Sequence, residues 1–341
     1  MGDSQYLTRR LKDAWDRAVV NGQIMNEFWA SETDPQGQWA AGDRITFGIQ
    51  QKNTLNAYTA YNLTQSLKIQ SAVEERAIEG IGENIPFTCQ FNGYRALRPG
   101  GGRKALGPQP DISPAASDCR FFCQDDSHPL SLLVRKPMLQ CSLQHFTWNA
   151  YYNAAPIEPN GHFLWVPSQP ADALTHITQR LSFSLLEDAL TLFKQLPNML
   201  LFFNSLHSGA SVNHIHFQAI AYHQPLPVET WPLKAGNGYF VLDGYVAPLM
   251  VFEQPVEAGD VFAWINRFQQ RNIPFNLMMV EQRIILVPRD RAHEIVSEFP
   301  GNGLAALGMC GRIITVDRSA YLEASKGSIE RAFRKMVLSL E

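Results

Sequence analysis

A fold mixing α and β elements is what this sequence predicts, on three observations. Short apolar, β-prone runs recur, as in Met199–Phe203 and Ala219–Tyr222. A long helical periodicity (Leu174, Ile177, Leu181, Leu185, Leu190, Phe193) precedes one of them. With 45% hydrophobic residues over 341 positions, the chain can bury a large core, and its length allows about two domains.

Charge and composition narrow the function. A net charge of −3 gives no polyelectrolyte signature, which argues against nucleic-acid binding, so any phosphate must be met by a local field. No apolar run reaches membrane-spanning length, and residues 1–10 lack the apolar core of a secretory signal. Gly2 follows Met1, but Tyr6 stands where myristoylation needs Ser or Thr. Five cysteines in a chain this long fit a reducing cytoplasm better than a disulfide framework. Oligomeric state is not legible, and a homodimer is compatible.

In chain order, Leu7, Leu11, Trp15 and Val19 recur at helical spacing within a surface helix over 4–22. Ile24–Trp29, a turn over 32–37 and an alternating strand at Arg44–Ile49 follow, and residues 50–70 carry no clear pattern. Asn84-Ile-Pro-Phe-Thr88 is echoed by Asn272-Ile-Pro-Phe-Asn276, a weak sign of internal duplication. Residues 98–117, rich in Gly and Pro, cannot hold regular structure for long. They read as a flexible linker, or as a lid whose Arg98, Arg103 and Lys104 close on phosphates. Cys119 and Cys123, with His128 shortly after, come next. An aromatic-rich segment from His145 to Tyr152 leads to Asn153, and residues 161–167 form a buried strand. Pro170 opens a helix with Asp172 in its first turn and His176 nearby, ending near Pro197, so that a βαβ-like crossover delivers the chain to Met199. Beyond Gln218, strands at 240–242 and 249–252, a helix at 261–270, a hairpin of 272–280 with 283–289, a strand at 313–316 and a helix at 326–340 complete the chain. The division expected is an N-terminal region 1–97, the linker 98–117, a catalytic half 118–235 and a second half 236–341.

The whole chain is organised around Asn204–Gln218. Strand alternation puts His214, His216 and Gln218 on one face, with Ile215, Phe217 and Ala219 in the core. The preceding Ser208-Gly209-Ala210-Ser211 offers backbone N–H groups and two hydroxyls with little steric cover, which suits a phosphate. An imidazole beside such a cradle can attack phosphorus, being neutral at physiological pH. A merely wet strand face explains the histidines but leaves the cradle unexplained.

The pattern Asn-x6-Ser-x2-His-x-His-x-Gln, running from Asn204 to Gln218, resembles the active-site strand of the nucleotidyltransferase and phosphorylase branch of the histidine-triad superfamily. That branch includes galactose-1-phosphate uridylyltransferases, diadenosine tetraphosphate phosphorylases and GDP-hexose phosphorylases. Val212-Asn-His-Ile-His-Phe-Gln-Ala219 and Leu226-Pro-Val-Glu229 are most similar to the GDP-hexose phosphorylases, whereas Ser208-Gly-Ala-Ser211 is closer to the dinucleoside-polyphosphate enzymes. The resemblance implies an α+β fold: an antiparallel histidine-triad-like sheet with helices packed on one side, in two related halves. It implies transfer through a nucleotidyl-histidine, with a GDP-hexose as donor and inorganic phosphate as acceptor, and no required cofactor. A dinucleoside-polyphosphate phosphorylase, a sugar-1-phosphate nucleotidyltransferase and a catalytically silent nucleotide-binding protein are the alternatives.

Carried residue by residue, the resemblance makes His216 the nucleophile, its other nitrogen held by a backbone carbonyl. His214 supports the strand and the phosphate site. Gln218, where many triad hydrolases carry a third histidine, favours transfer over hydrolysis. Asn204, Ser208, Gly209 and Ser211 meet phosphate oxygens, though His207 replaces a glycine common in parts of the family. Asn153-x2-Pro156 and Gly161-His162 match the nucleoside-pocket motif, which makes Asn149 and Asn153 the candidate nucleoside contacts. Related enzymes place structural zinc on a Cys-x2-Cys pair; here the spacing is Cys-x3-Cys, so Cys119, Cys123, His176 and His214 are a candidate set and buried free thiols the preferred reading.

Overall fold

The computed structural model describes residues 3–20, 73–82, 84–92, 95, 104–127, 131–133, 137–153, 157–158, 161–169, 176–221, 224–301 and 303–339. The expectations for 24–70, Arg98, Arg103, His128, Pro156, Pro170, Asp172 and Leu174 fall outside them.

Helix α1 (Asp3–Val20) buries Leu7, Leu11 and Trp15, the stripe its spacing predicts. Strands β1 (Val73–Ala77) and β2 (Thr88–Asn92) come next, then β3 (Leu139–Ser142), β4 (Thr147–Tyr152) and β5 (His162–Ser168). Helix α2 (Phe183–Lys194) leads to β6 (Met199–Asn204) and β7 (Phe217–Ala221). The second half repeats the plan: β8 (Leu233–Ala235), β9 (Phe240–Leu242), β10 (Met250–Glu253), helix α3 (Ala258–Gln270), β11 (Phe275–Val280) and β12 (Arg283–Pro288). Helix α4 (Ala306–Met309), β13 (Arg312–Thr315), α5 (Arg318–Glu323) and α6 (Lys326–Met336) close the chain.

Ten strands form one sheet in the order β3-β4-β5-β7-β6-β11-β12-β10-β9-β8, and every adjacent pair in it is antiparallel. Each half contributes three strands, a helix and two strands, with the last strand placed between the third and fourth. The halves meet where β6 pairs with β11, Asn204 opposite Asn276. This is the α+β fold in two related halves that the resemblance implied. The outer strand β8 lies before the expected 235/236 boundary yet belongs with the second half. The pentapeptide echo does not mark the duplication: Asn84–Thr88 leads into a small separate sheet, β1-β2-β13. A better trace is Asn198 and Asn272, each in left-handed backbone (φ 61° and 53°) in the turn between helix and strand of its half.

The sheet is buried on both faces. Leu201, Phe203, Phe217, Leu277 and Met279 pack with α1, α2 and α3, while Leu200, Phe202, Ile220, Met278 and Ile285 pack with the small sheet and the C-terminal helices. Helices on one side only was therefore half of the answer. Double burial explains why Met199–Phe203 reads as an unbroken apolar run. The helix before β6 starts later than its periodicity suggested: Ser182 caps it by accepting from Leu185 N–H, and His176 lies ahead of it. Because β7 is inserted between β5 and β6, those two run parallel, and α2 is the crossover between them.

Candidate active site

Strands β6 and β7 hold residues 205–216 between them. Ile215, Phe217 and Ala219 are wholly buried against α2 and α3, as alternation requires, so His214, His216 and Gln218 project from the opposite side. The two histidines sit in an extended run just ahead of β7 rather than within it. His216 is 7% exposed and His214 not at all. His214 therefore cannot touch a phosphate; its contribution is its carbonyl, which accepts a hydrogen bond from His216 Nδ1 at 2.8 Å. That bond fixes the tautomer and leaves the Nε2 lone pair of His216 as the reactive position. Burial pushes the His216 imidazole below its ordinary value, against a smaller upward pull from the His214 carbonyl, so the ring is neutral at neutral pH.

A residue that sequence reasoning missed holds this run in place. Gln179, 4% exposed, accepts the His216 backbone N–H through Oε1 at 3.0 Å. Its Nε2 donates to the Asn204 carbonyl at 2.8 Å and the His216 carbonyl at 3.4 Å. One side chain thus ties the end of β6 to the approach of β7. The Ile215 N–H donates to the Ile177 carbonyl at 2.7 Å beside it. Nothing in the sequence around Gln179 distinguishes it from an exposed glutamine.

Two amides flank His216, each held by its oxygen. Asn204 Oδ1 accepts from Asn276 Nδ2 at 2.8 Å and from the Ala306 N–H at 3.0 Å, which leaves Nδ2 as a donor. Gln218 Oε1 lies 3.0 Å from His162 Nε2. The Ile157 N–H donates to His162 Nδ1 at 3.2 Å, so the His162 proton sits on Nε2 and is given to Gln218. Gln218 Nε2 is then a donor too. Asn153 lies 3.1 Å from the same His162 nitrogen, which places it beside the site; facing a donor, its amide must turn its oxygen inward.

The loop differs from expectation at one point. Ser208 is wholly buried, and its hydroxyl donates to the Ser205 and Phe275 carbonyls at 2.8 and 2.7 Å. It stitches the loop to β11 and has no proton left for a phosphate. Gly209 takes φ +111°, and a Cβ there would come within 2.7 Å of Ala305 Cβ, so glycine is required. Ser211 is exposed in the loop. His207 adopts φ 60°, a left-handed conformation uncommon outside glycine.

Asn149 is the second correction. It is 4% exposed on β4, accepts from Gln140 Nε2 at 2.7 Å, and donates to the Val166 carbonyl and Ser168 Oγ. With both ends of its amide taken up inside the sheet, it is not a nucleoside contact.

Residues 104–117 are no loose linker. Gly107 forms a bridge with Ile295, and Asp111 accepts from Arg291 at 2.6 Å and lies 2.8 Å from His207 Nε2. Asn213 Nδ2 donates to the Ile112 carbonyl at 3.1 Å. A segment without regular structure is thus laid as a strap across the cradle loop, its backbone satisfied by loop side chains.

The strap leads into a cluster of Cys119, Cys123, His176 and His214, whose ligand atoms all lie within 4.8 Å of one another. Cys119 Sγ lies 3.4 Å from His214 Nδ1, and Cys123 Sγ 3.4 Å from His176 Nδ1. A tetrahedral zinc with usual Zn–S and Zn–N bonds puts S and N about 3.6 Å apart, so the spacing fits. His176 Nε2 donates to the Pro114 carbonyl at 3.1 Å, which aims Nδ1 at the cluster. Burial, reinforced by Cys119, pushes the Cys123 thiol up to about 12, a cost that a bound cation relieves. The Cys-x3-Cys spacing is no obstacle. Among the described residues this is the one such cluster.

Residues 239–341 match the family model described as GDPGP1-like, C-terminal domain. GDP-L-galactose phosphorylase 1 of Arabidopsis thaliana is 29% identical over 151 residues, 40% of this chain; the chain spans about a third of the length of that curated relative. Among solved structures, yeast Ap4A phosphorylase Apa2 in complex with Ap4A matches 81% of this chain and 93% of its own at a TM-score of 0.55 and 16% identity. The same enzyme in complex with AMP matches 77% and 88% at 0.52 and 17%. The chain therefore shares the fold of the yeast Ap4A phosphorylase, and the resemblance read from the active strand is borne out.

Proposed function

We propose that this chain is a nucleotide phosphorylase working through a covalent nucleotidyl-His216. The observation that carries the reading is the His216 ring: neutral, Nδ1–H held by the His214 carbonyl, Nε2 available between two amides whose donors remain. Nε2 attacks the α-phosphorus of a nucleoside-diphosphate donor, the bond from phosphorus to the bridging oxygen breaks, and that oxygen leaves with the distal phosphate. Inorganic phosphate then attacks the nucleotidyl-histidine and returns His216 to its neutral form. Asn204 Nδ2 and Gln218 Nε2 donate to the non-bridging oxygens where charge develops. Neither amide can take a proton from water, which favours phosphate as acceptor.

The donor we favour is a GDP-hexose, giving GDP and hexose 1-phosphate. The family match over 239–341 and the 29% identity to a GDP-L-galactose phosphorylase support it. Cys119, Cys123, His176 and His214 would hold a zinc ion that would supply no chemistry to the transfer and would fix the strap's end against the backbone that orients His216. Competition settles the donor: GDP-glucose, GDP-mannose and diadenosine tetraphosphate are offered together with phosphate, and products are counted. Predominant GDP with hexose 1-phosphate supports the reading. Predominant ADP with ATP assigns the dinucleoside polyphosphates instead, and saturable binding without products makes the chain a nucleotide-binding protein.

A further inference from the structure

The second half carries no His-x-His-x-Gln pattern of its own, yet it reaches the cradle through a buried cation. Arg283, at the start of β12, has its guanidinium bound to the Val228 and Trp231 carbonyls, away from the site. Arg289 is different. It is wholly buried. Its Nε donates to the Met336 carbonyl at 3.1 Å, and its Nη1 to the Leu304 carbonyl at 2.7 Å and Asn276 Oδ1 at 2.5 Å. Nη2 is buried without a partner, and Arg289 forms no ion pair among the described residues. The nearest compensating carboxylate, Glu294, is already shared with His207 at 3.3 Å.

A charge so placed is costly unless something answers it. The hydrogen bonds show where it leads. Asn276, also wholly buried, gives one Nδ2 proton to Asn204 Oδ1 and the other to the Ser208 carbonyl at 2.7 Å. Arg289 also holds the Leu304 carbonyl, two residues ahead of the Ala306 N–H that makes the second bond to Asn204 Oδ1. Both donors on the Asn204 oxygen are thus set by Arg289, directly or through one residue. A backbone N–H among them leaves no doubt which end of the Asn204 amide is oxygen.

We propose that Arg289 and Asn276 are positioning residues of the phosphate cradle: the buried guanidinium, acting through Asn276 and the Leu304–Ala306 turn, orients and polarises Asn204 so that Nδ2 faces the bound phosphoryl group. The substrate phosphate adds to the counter-charge that Glu294 only partly supplies to Arg289. The second half is thereby part of the active site without touching substrate. This inference rests on the cradle binding phosphate, as proposed above.

Asn276→Asp is the primary test. It keeps an acceptor for Arg289 and adds an ion pair, but replaces the donors that hold Asn204 and the Ser208 carbonyl. The ligand-free variant is expected to melt close to wild type, while the rise in Tm produced by saturating GMP, AMP or orthophosphate disappears and adduct formation slows about 100-fold. Arg289→Lys and Arg289→Gln form the second pair. Both disturb packing, yet only Lys keeps the charge, so Lys retains more of the phosphate-induced rise. A wild-type rise and rate in Asn276→Asp, or equal rises in the Lys and Gln variants, overturns the proposal. If wild type forms no adduct with any donor, the transfer reading falls, and the monophosphate-induced rise alone decides this one. If wild type shows no such rise either, both fall.

Discussion

His216 and Gln218 divide the chemistry between a group that can lose or gain a proton and one that cannot. In the proposed transfer the neutral Gln218 amide, held by His162 through its oxygen, offers no base to activate water against the nucleotidyl group. Gln218→His restores a base at that place, and the adduct formed without phosphate is expected to hydrolyse faster; an unchanged lifetime separates Gln218 from acceptor choice. At this scale the sequence was legible where chemistry and periodicity coincide, as in His214-Ile-His216-Phe-Gln218. It was not legible where a polar side chain turns inward. Ser208 and Asn149 look like ligands by type, but their partners are carbonyls and amides inside the sheet. Gln179 and Asn276 gave no signal because their partners come from other elements, and asparagine or glutamine reads the same at a surface as at a buried junction.

Among elements, the loop from Ser205 to Ala210 has the narrowest tolerances. Gly209→Ala must adopt a conformation nearly confined to glycine while meeting Ala305, at a cost of about 1–3 kcal/mol. A lower Tm with weaker phosphate binding is the expected result, and wild-type behaviour in both contradicts the packing described. The strap and the four-ligand cluster answer to metal removal. Purified protein is expected to carry about one zinc per chain, and chelation or Cys119→Ser to lower the Tm by loosening the run from Val212 to His216. Metal analysis that finds none, with a Tm indifferent to chelator, returns the cysteines to buried thiols. The strap was unreadable for a plain reason: a Gly- and Pro-rich segment has no periodicity, and its order comes from His207, Asn213 and Arg291 elsewhere in the chain.

The molecule as a whole is one sheet assembled from two repeats of a single plan, fused where β6 meets β11. A mixed fold followed from periodicity, but the repeat did not, because its halves share strand order and helix placement rather than residues. The seam predicts that neither half stands alone: a fragment ending at 235 exposes the fully buried β6 as an apolar edge and is expected to aggregate. A soluble, cooperatively melting fragment contradicts this. The repeat also gives the two halves different tasks, with His216 in one and the Arg289–Asn276 support in the other. In the proposed mechanism both converge on a single phosphorus–nitrogen bond, and intact mass tests it most directly. The protein is incubated briefly with GDP-glucose, GDP-mannose or diadenosine tetraphosphate without phosphate. A mass gain of one nucleoside monophosphate, absent in a folded His216→Ala variant that no longer turns over, is the predicted result. No gain with any donor despite saturable binding, or a gain that survives in His216→Ala, contradicts the covalent mechanism.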